Sequence, residues 1–358
     1  MCLSVQDRIA ELRKRLGEQL LHDTPLFDDN FSLLRWLHGW NNRFDEIVPR
    51  FKRASQVFRC MRINEMLFDD IDVLNGFTRQ LTGAADYYPG GALGYDKEGN
   101  LLALQTMGRS HPKQLAKCGR VSDVYRLCVV ETALFYKLIQ IQERKLQRKL
   151  GLCVIIDLEG FNTDHLTTTG LKVYAALLKE LQDLFPDMLR QVCCLKIDFG
   201  NDLKPLFLKV YVINAHYLVK TAYSIIKPVL SEQSREKVVF LDTSYHEQLA
   251  KDVGKENLFP RWGGTRQPLV GDPEWGTLRI GGLPPKGMRY SAASNPHHVP
   301  EGQLMKLVVP ARQRRIVDIC VPAQPGCPQQ MLQWFWISSS DIDFGIINDE
   351  EQEVIEWC

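Results

Sequence analysis

No stretch of this 358-residue sequence reaches the ~18 consecutive uncharged apolar residues that cross a bilayer as a helix. Neither sign of charge is in excess: 44 Lys and Arg against 43 Asp and Glu leave a formal net charge of +1. Phosphate neutralisation needs clustered positive charge, so nucleic acid is not an expected partner. Ten cysteines are present, yet none forms a C-x-x-C pair, which removes zinc ribbons and thioredoxin-type sites. Cys128, Cys153 and Cys320 fall in apolar runs and read as buried free thiols of a reducing compartment. There is no P-loop, and no G-x-G-x-x-G follows an apolar run. The N-terminus, MCLSVQDRIAELRKRL, is charged and helix-periodic, unlike a signal peptide. With 45% apolar and 24% charged residues, the expectation is a soluble cytoplasmic protein of several domains.

What is present alternates in grammar. Residues 1–65 are helical in pattern: Val5, Ile9, Leu12 and Leu16 recur at helical spacing. The capping cluster Asp28-Asp29-Asn30 opens a second helix with Phe31, Leu34, Leu37 and Trp40 on one face. Ile47, Phe51, Ala54 and Phe58 mark a third. The predicted module is a three-helix bundle. Asp96-Lys97-Glu98-Gly99-Asn100 separates two apolar runs and predicts a hairpin. Residues 121–149 predict one long helix with a basic end. The run LCVIID, then VYVI at 210–213 and VVFL at 238–241, predict strands buried on both faces, with helices between them. The fold class is therefore α/β, with a mainly parallel sheet. Residues 269–302, rich in Gly, Pro and Ser, read as a linker. From residue 303 to 358 the short apolar segments Leu304–Val309, Arg314–Val321, Met331–Ile337 and Ile342–Ile347 predict an incomplete β-sandwich.

Catalytic patterns are weak. Tyr223 and Lys227 have the Tyr-x-x-x-Lys spacing of short-chain dehydrogenases, but the glycine-rich dinucleotide loop is missing. Asp157, Glu159, Asp164 and His165 crowd the turn after LCVIID. They read either as an acid/base or metal cluster or, with Gly160, as groups that close the turn. Ser231-x-x-Ser234-x-x-Lys237 contains a Ser-x-x-Lys without its companion motifs. No catalytic residue and no metal site is assigned.

Five segments together resemble the CRAL-TRIO lipid-binding family: DDNFSLLRWLHGWNNRFDEIVPRF, YYPGGALGYDKEGN, VIIDLEGF, VYVINAHYLVKTAYSIIKPVLSEQSREKVVFL and ENLFPRWGGT. Their order matches over residues 27–267, and the C-terminal LQWFWISSSDIDFGI resembles the GOLD domain. The resemblance implies a helical module at 1–65, a lipid-binding domain at 75–268 and a partial GOLD-like sandwich at 303–358. It implies a non-enzymatic carrier with no cofactor beyond its bound lipid, a phospholipid, phosphatidylinositol or tocopherol-like molecule. Membrane surfaces would be transient partners on the cytoplasmic side, and trafficking proteins would bind the GOLD-like part; the alternative is an adaptor acting through that part. A mobile gate helix over 217–230 would present Leu218, Ala222, Tyr223, Ile225, Ile226 and Val229 to the lipid. A sheet floor would present Val154, Ile156, Val212, Val239 and Leu241, and the inositol-headgroup positions of the family correspond to Asp187 and Lys237.

Two departures stand out. Residues 192–209 interrupt the family pattern: removing Val192–Lys209 joins Gln191 to Val210 and restores QVYVINAH. The segment is either a retained intron, since Val codons begin GT and a Lys codon can end AG, or a loop insertion; the transcript sequence separates the two. The GOLD-like part also stops at Cys358, short of a full sandwich.

Overall fold

The computed structural model describes residues 4–66, 68–118, 121–188, 210–215, 218–228, 230, 235, 238–242, 244–289, 291, 299–320, 338, 344–347 and 353–357. The segment 192–209, Val229 and Lys237 lie outside the described residues. The chain divides into two units, Met1–Arg289 and Tyr290–Cys358.

The first unit begins with four helices where three were expected: α1 (Val5–Leu16), α2 (Glu18–His22), α3 (Asn30–Gly39) and α4 (Phe44–Cys60). Gly17, at φ 79°, separates α1 from α2, a bend that the spacing of the apolar residues does not reveal. Ser4 caps α1 through a capping box with Asp7, and Asp29 caps α3 by accepting from the Ser32 amide at 2.9 Å. Leu33, Trp36 and Leu37 form the buried face of α3, rotated from the expected Phe31–Leu34–Leu37–Trp40 stripe. These helices are no separate bundle. Phe27 lies 5.3 Å from Tyr136 of the long helix α7 (Val121–Leu146), so one core runs through both.

A five-stranded sheet follows the order β1 (Gly91–Tyr95), β2 (Leu101–Gln105), β3 (Leu152–Asp157), β4 (Val210–Ile213) and β5 (Val238–Phe240). β1 and β2 are the expected hairpin, closed by Asp96, and the remaining neighbours are parallel. Side chains alternate across the sheet. Leu102, Leu104, Cys153, Ile155 and Tyr211 pack on one face against α10 (Tyr245–Val253), Trp262 and Trp275. Ala103, Leu152 and Val154 face the other way, toward α7. The remaining helices are α5 (Ile71–Gln80), α6 (Pro112–Leu115), α8 (Thr168–Leu184) and the short α9 (Val219–Ile226).

The Gly-Gly-Thr segment has a steric cause. Gly263 takes φ 80° to end the turn Pro260–Trp262, and a Cβ on Gly264 would fall 1.8 Å from the Leu258 carbonyl oxygen. That turn aims Trp262 so that its Nε1 donates to Asp157 Oδ2 at 3.0 Å, at the end of β3. Gly264→Ala is expected to lower stability by about 1–3 kcal/mol, as overpacking does; a thermal melt equal to wild type would contradict the close approach.

Residues 269–289 are not the loose linker expected. They form a strap docked on the first unit: Gly90 and Arg279 exchange backbone bonds at 3.0 Å, Arg79 donates to the Leu278 carbonyl at 2.6 Å, and Trp275 and Leu278 are buried. In the second unit, β6 (Phe344–Ile347) and β7 (Glu353–Trp357) pair antiparallel. Leu304–Val309 and the described part of the next predicted strand, 314–320, are almost wholly exposed and form no strand, Cys320 included. Their apolar residues have no second sheet to cover them among the described residues. Met331–Ile337 lies outside the described residues.

Candidate functional site: an apolar cavity under a short helix

A cavity of about 1030 Å³ lies between the sheet and helices α7, α8 and α9. At ~30 Å³ for a group the size of a water or methylene, that is room for roughly thirty such groups. Its floor follows from strand register. Val154, Val210 and Val238 are aligned neighbours, as are Ile156, Val212 and Phe240, and all six line the cavity. Val154, Ile156 and Val212, which the resemblance implies for a lipid-facing floor, are among them. Val239 and Leu241 are not: they pack with Tyr211 and Ile213 on the opposite face. VVFL is apolar on both faces, so its pattern carries no phase; the pairing with β4 sets it.

The helix opposite is α9. Val219, Ala222, Tyr223 and Ile226 line the cavity, an i, i+3, i+4, i+7 stripe. Leu218 precedes the helix and is half-buried outside the lining, while Ile225 points away with 45% of its surface exposed. Val219, outside the expected set, opens the helix on the lined face one turn before Tyr223. The Tyr223 ring meets Phe240 edge-on at 5.3 Å, and Lys227 is exposed one turn on. The phenol of the Tyr-x-x-x-Lys pair therefore belongs to the cavity wall.

Asp187 closes another stretch of the lining, yet its carboxylate is fully buried. Lys149 Nζ donates to it at 2.7 Å, and His38 Nδ1 lies 3.5 Å away. Burial holds the Lys149 ammonium below its usual range, against the pull of Asp187. Gly39 makes room here, because a Cβ would sit 2.5 Å from Pro186 Cβ. The cluster after β3 closes a turn: Asp157 accepts from the Glu159 amide (3.0 Å), Asn214 (2.8 Å) and Trp262 (3.0 Å), and Asn162 caps the short helical turn at 163–166. The His165 ring stacks on Phe161 at 4.6 Å, and burial lowers its pKa. Among the described residues, no group of three metal-ligating side chains comes together.

Polar groups that the sequence reading overlooked also face this space. Tyr88, Cys128, Glu131 and Tyr174 line it, and Glu131 is held by Arg279 of the strap, Nη1 to Oε1 at 2.6 Å and Nη2 to Oε2 at 3.1 Å. They come from three separate segments, with Cys128 and Glu131 both on α7, and Arg279 sits in a fourth whose composition signals only turns.

No helix among the described residues is long and apolar enough to cross a membrane. Residues 85–199 and 206–264 match the CRAL/TRIO domain; the break falls inside the segment 192–209. The phosphatidylinositol/phosphatidylcholine transfer proteins SFH13 and SFH14 of Arabidopsis thaliana are each 24% identical, over 51% and 54% of this chain and 29% and 33% of their own lengths. The chain thus spans about a third or less of these plant relatives. The CRAL-TRIO domain-containing protein YKL091C of Saccharomyces cerevisiae is 22% identical over 73% of this chain and 76% of its own. A crystal structure of Sfh5 aligns at a TM-score of 0.48 with 10% identity, covering 81% of this chain and 93% of that one. Sheet, cavity and sequence match coincide, and residues 85–199 and 206–264 are a CRAL/TRIO domain.

Proposed function

We propose that this chain encloses one lipid in the cavity beneath α9 and exchanges it at cytosolic membrane surfaces, making and breaking no covalent bond. The observation that carries the reading is the apolar space of about 1030 Å³ closed by a helix only eight residues long. The names of the plant relatives, which are lipid-transfer proteins, support it. A two-chain lipid with some thirty methylenes loses ~0.8 kcal/mol for each one exposed to water, roughly 24 kcal/mol in all. That exceeds the ~18–21 kcal/mol at which non-covalent affinities saturate. Uptake from free solution is therefore irrelevant; the lipid must pass from bilayer to cavity with its chains covered throughout, and α9 is the element that must move. The exposed Ile225 and Phe240, both at 45%, provide apolar surface beside the opening helix. An inositol headgroup would need Asp187 to leave Lys149, which makes phosphatidylinositol the less favoured cargo.

Native mass spectrometry of the purified chain, followed by lipid extraction, tests the reading. One lipid per chain is the expected result, together with transfer between vesicles. A chain that carries none, and moves none from donor to acceptor vesicles, would refute it.

A further inference from the structure

The cavity wall holds a set of neutral hydrogen-bonding groups that have no evident structural task. Tyr88 comes from the turn before β1, Cys128 from α7 and Tyr174 from α8, and the three are neighbours. The Tyr88 phenol and the Cys128 thiol lie close to each other. The Tyr174 phenol has no hydrogen-bond partner among the described residues. Burial pushes it up to about 12, so it stands in the wall as a neutral O–H. Tyr174 is half-buried and lines the cavity, so a guest oxygen there would meet a donor that no described side chain occupies.

The charges nearby decide what that something is. Glu131 and Arg279 neutralise each other through two bonds, and the rest of the guanidinium serves Thr78 Oγ1 and the Tyr88 carbonyl, both at 2.8 Å. Among the described residues beside it no cation is left over for a phosphate, and the Glu131 carboxylate would repel one. The lysines of the lining, Lys113, Lys117 and Lys179, are exposed at the surface on α6 (Pro112–Leu115), just after it, and on α8.

We propose that Tyr174, with Tyr88 and Cys128, forms a polar subsite inside the cavity that takes the hydroxyl or carbonyl oxygen of a neutral lipid in preference to a phosphate. This rests on the lipid-carrier reading. Two probes with the same tails isolate it: dioleoylglycerol, which ends in a hydroxyl, and dioleoyl phosphatidic acid, which ends in a phosphate. Vesicles containing each are equilibrated with the full chain and the bound lipid is quantified. Wild type should favour dioleoylglycerol, and Tyr174→Phe should weaken that lipid about three- to tenfold, the worth of one hydrogen bond, while leaving phosphatidic acid unchanged. Tyr88→Phe should act in the same direction. Equal or tighter binding of phosphatidic acid by wild type overturns the proposal without need of any variant, as does unchanged dioleoylglycerol binding in both variants. If the chain takes up neither probe nor phosphatidylcholine, the carrier reading itself falls and the subsite with it.

Discussion

Arg35→Met is expected to cost the first unit about 3–5 kcal/mol, a fall in Tm of roughly 10 °C. Arg35 and Glu143 are both almost wholly buried and form an ion pair between α3 and α7. Arg35 also donates to the Leu150 carbonyl at 2.7 Å, and Glu143 accepts from the Leu150 amide at 2.7 Å. The pair thus ties the first helices to the chain entering β3, and removing one member strands the other in the core. Burial already pushes the Glu143 carboxyl above its usual range, with Arg35 opposing. In the variant that opposition disappears, and the folded state holds a proton that the unfolded state has lost above its ordinary carboxylate pKa. Stability then falls as pH rises through that window, so the deficit should be larger at pH 8 than at pH 5. Arg35→Met/Glu143→Leu should recover much of the loss. Denaturant titration at the two pH values checks all three statements; a single variant as stable as wild type at pH 8 would show that the pair is not isolated from water.

Ala222→Trp should empty the protein of lipid while leaving it folded. Ala222 is buried on the cavity side of α9, opposite Val212 and Phe240, and an indole there occupies space that the acyl chains need. The overpacking penalty of about 1–3 kcal/mol falls on the loaded state, which corresponds to a drop of roughly tenfold or more in the lipid-bound fraction. Co-purified lipid per chain, read by mass spectrometry alongside a circular dichroism melt, measures it. Ile225→Trp, one helical position from the lining, is the control and should load normally.

Much of the architecture was legible because local pattern and tertiary need agree. LCVIID is apolar at successive positions because β3 is covered on both faces. Asp96 and Gly99 mark the β1–β2 turn, and Asp29 announces α3. What was not legible depends on partners remote in sequence. The phase of VVFL is fixed by β4, so Val238 and Phe240 face the cavity where Val239 and Leu241 were expected. The α3 face is fixed by Phe27, Phe51 and α7, which a single-helix pattern does not contain. The polar wall around Tyr174 joins four separate segments. The apolar stretches after residue 303 resemble strands in composition, yet Ile316 and Ile319 are more than 60% exposed, because β-like patterning requires a second sheet before it can be buried.

The strap sets where this chain can be cut. Composition changes after Pro268, and a recombinant fragment trimmed there would lose Trp275 from the face that Trp262 shares, at 5.4 Å, and would lose Arg279 from Glu131. The carboxylate would then be left bare beside the cavity. The natural border for making the domain alone is Arg289, which keeps the Arg279–Glu131 clasp that, rather than the last strand or helix, closes the wall.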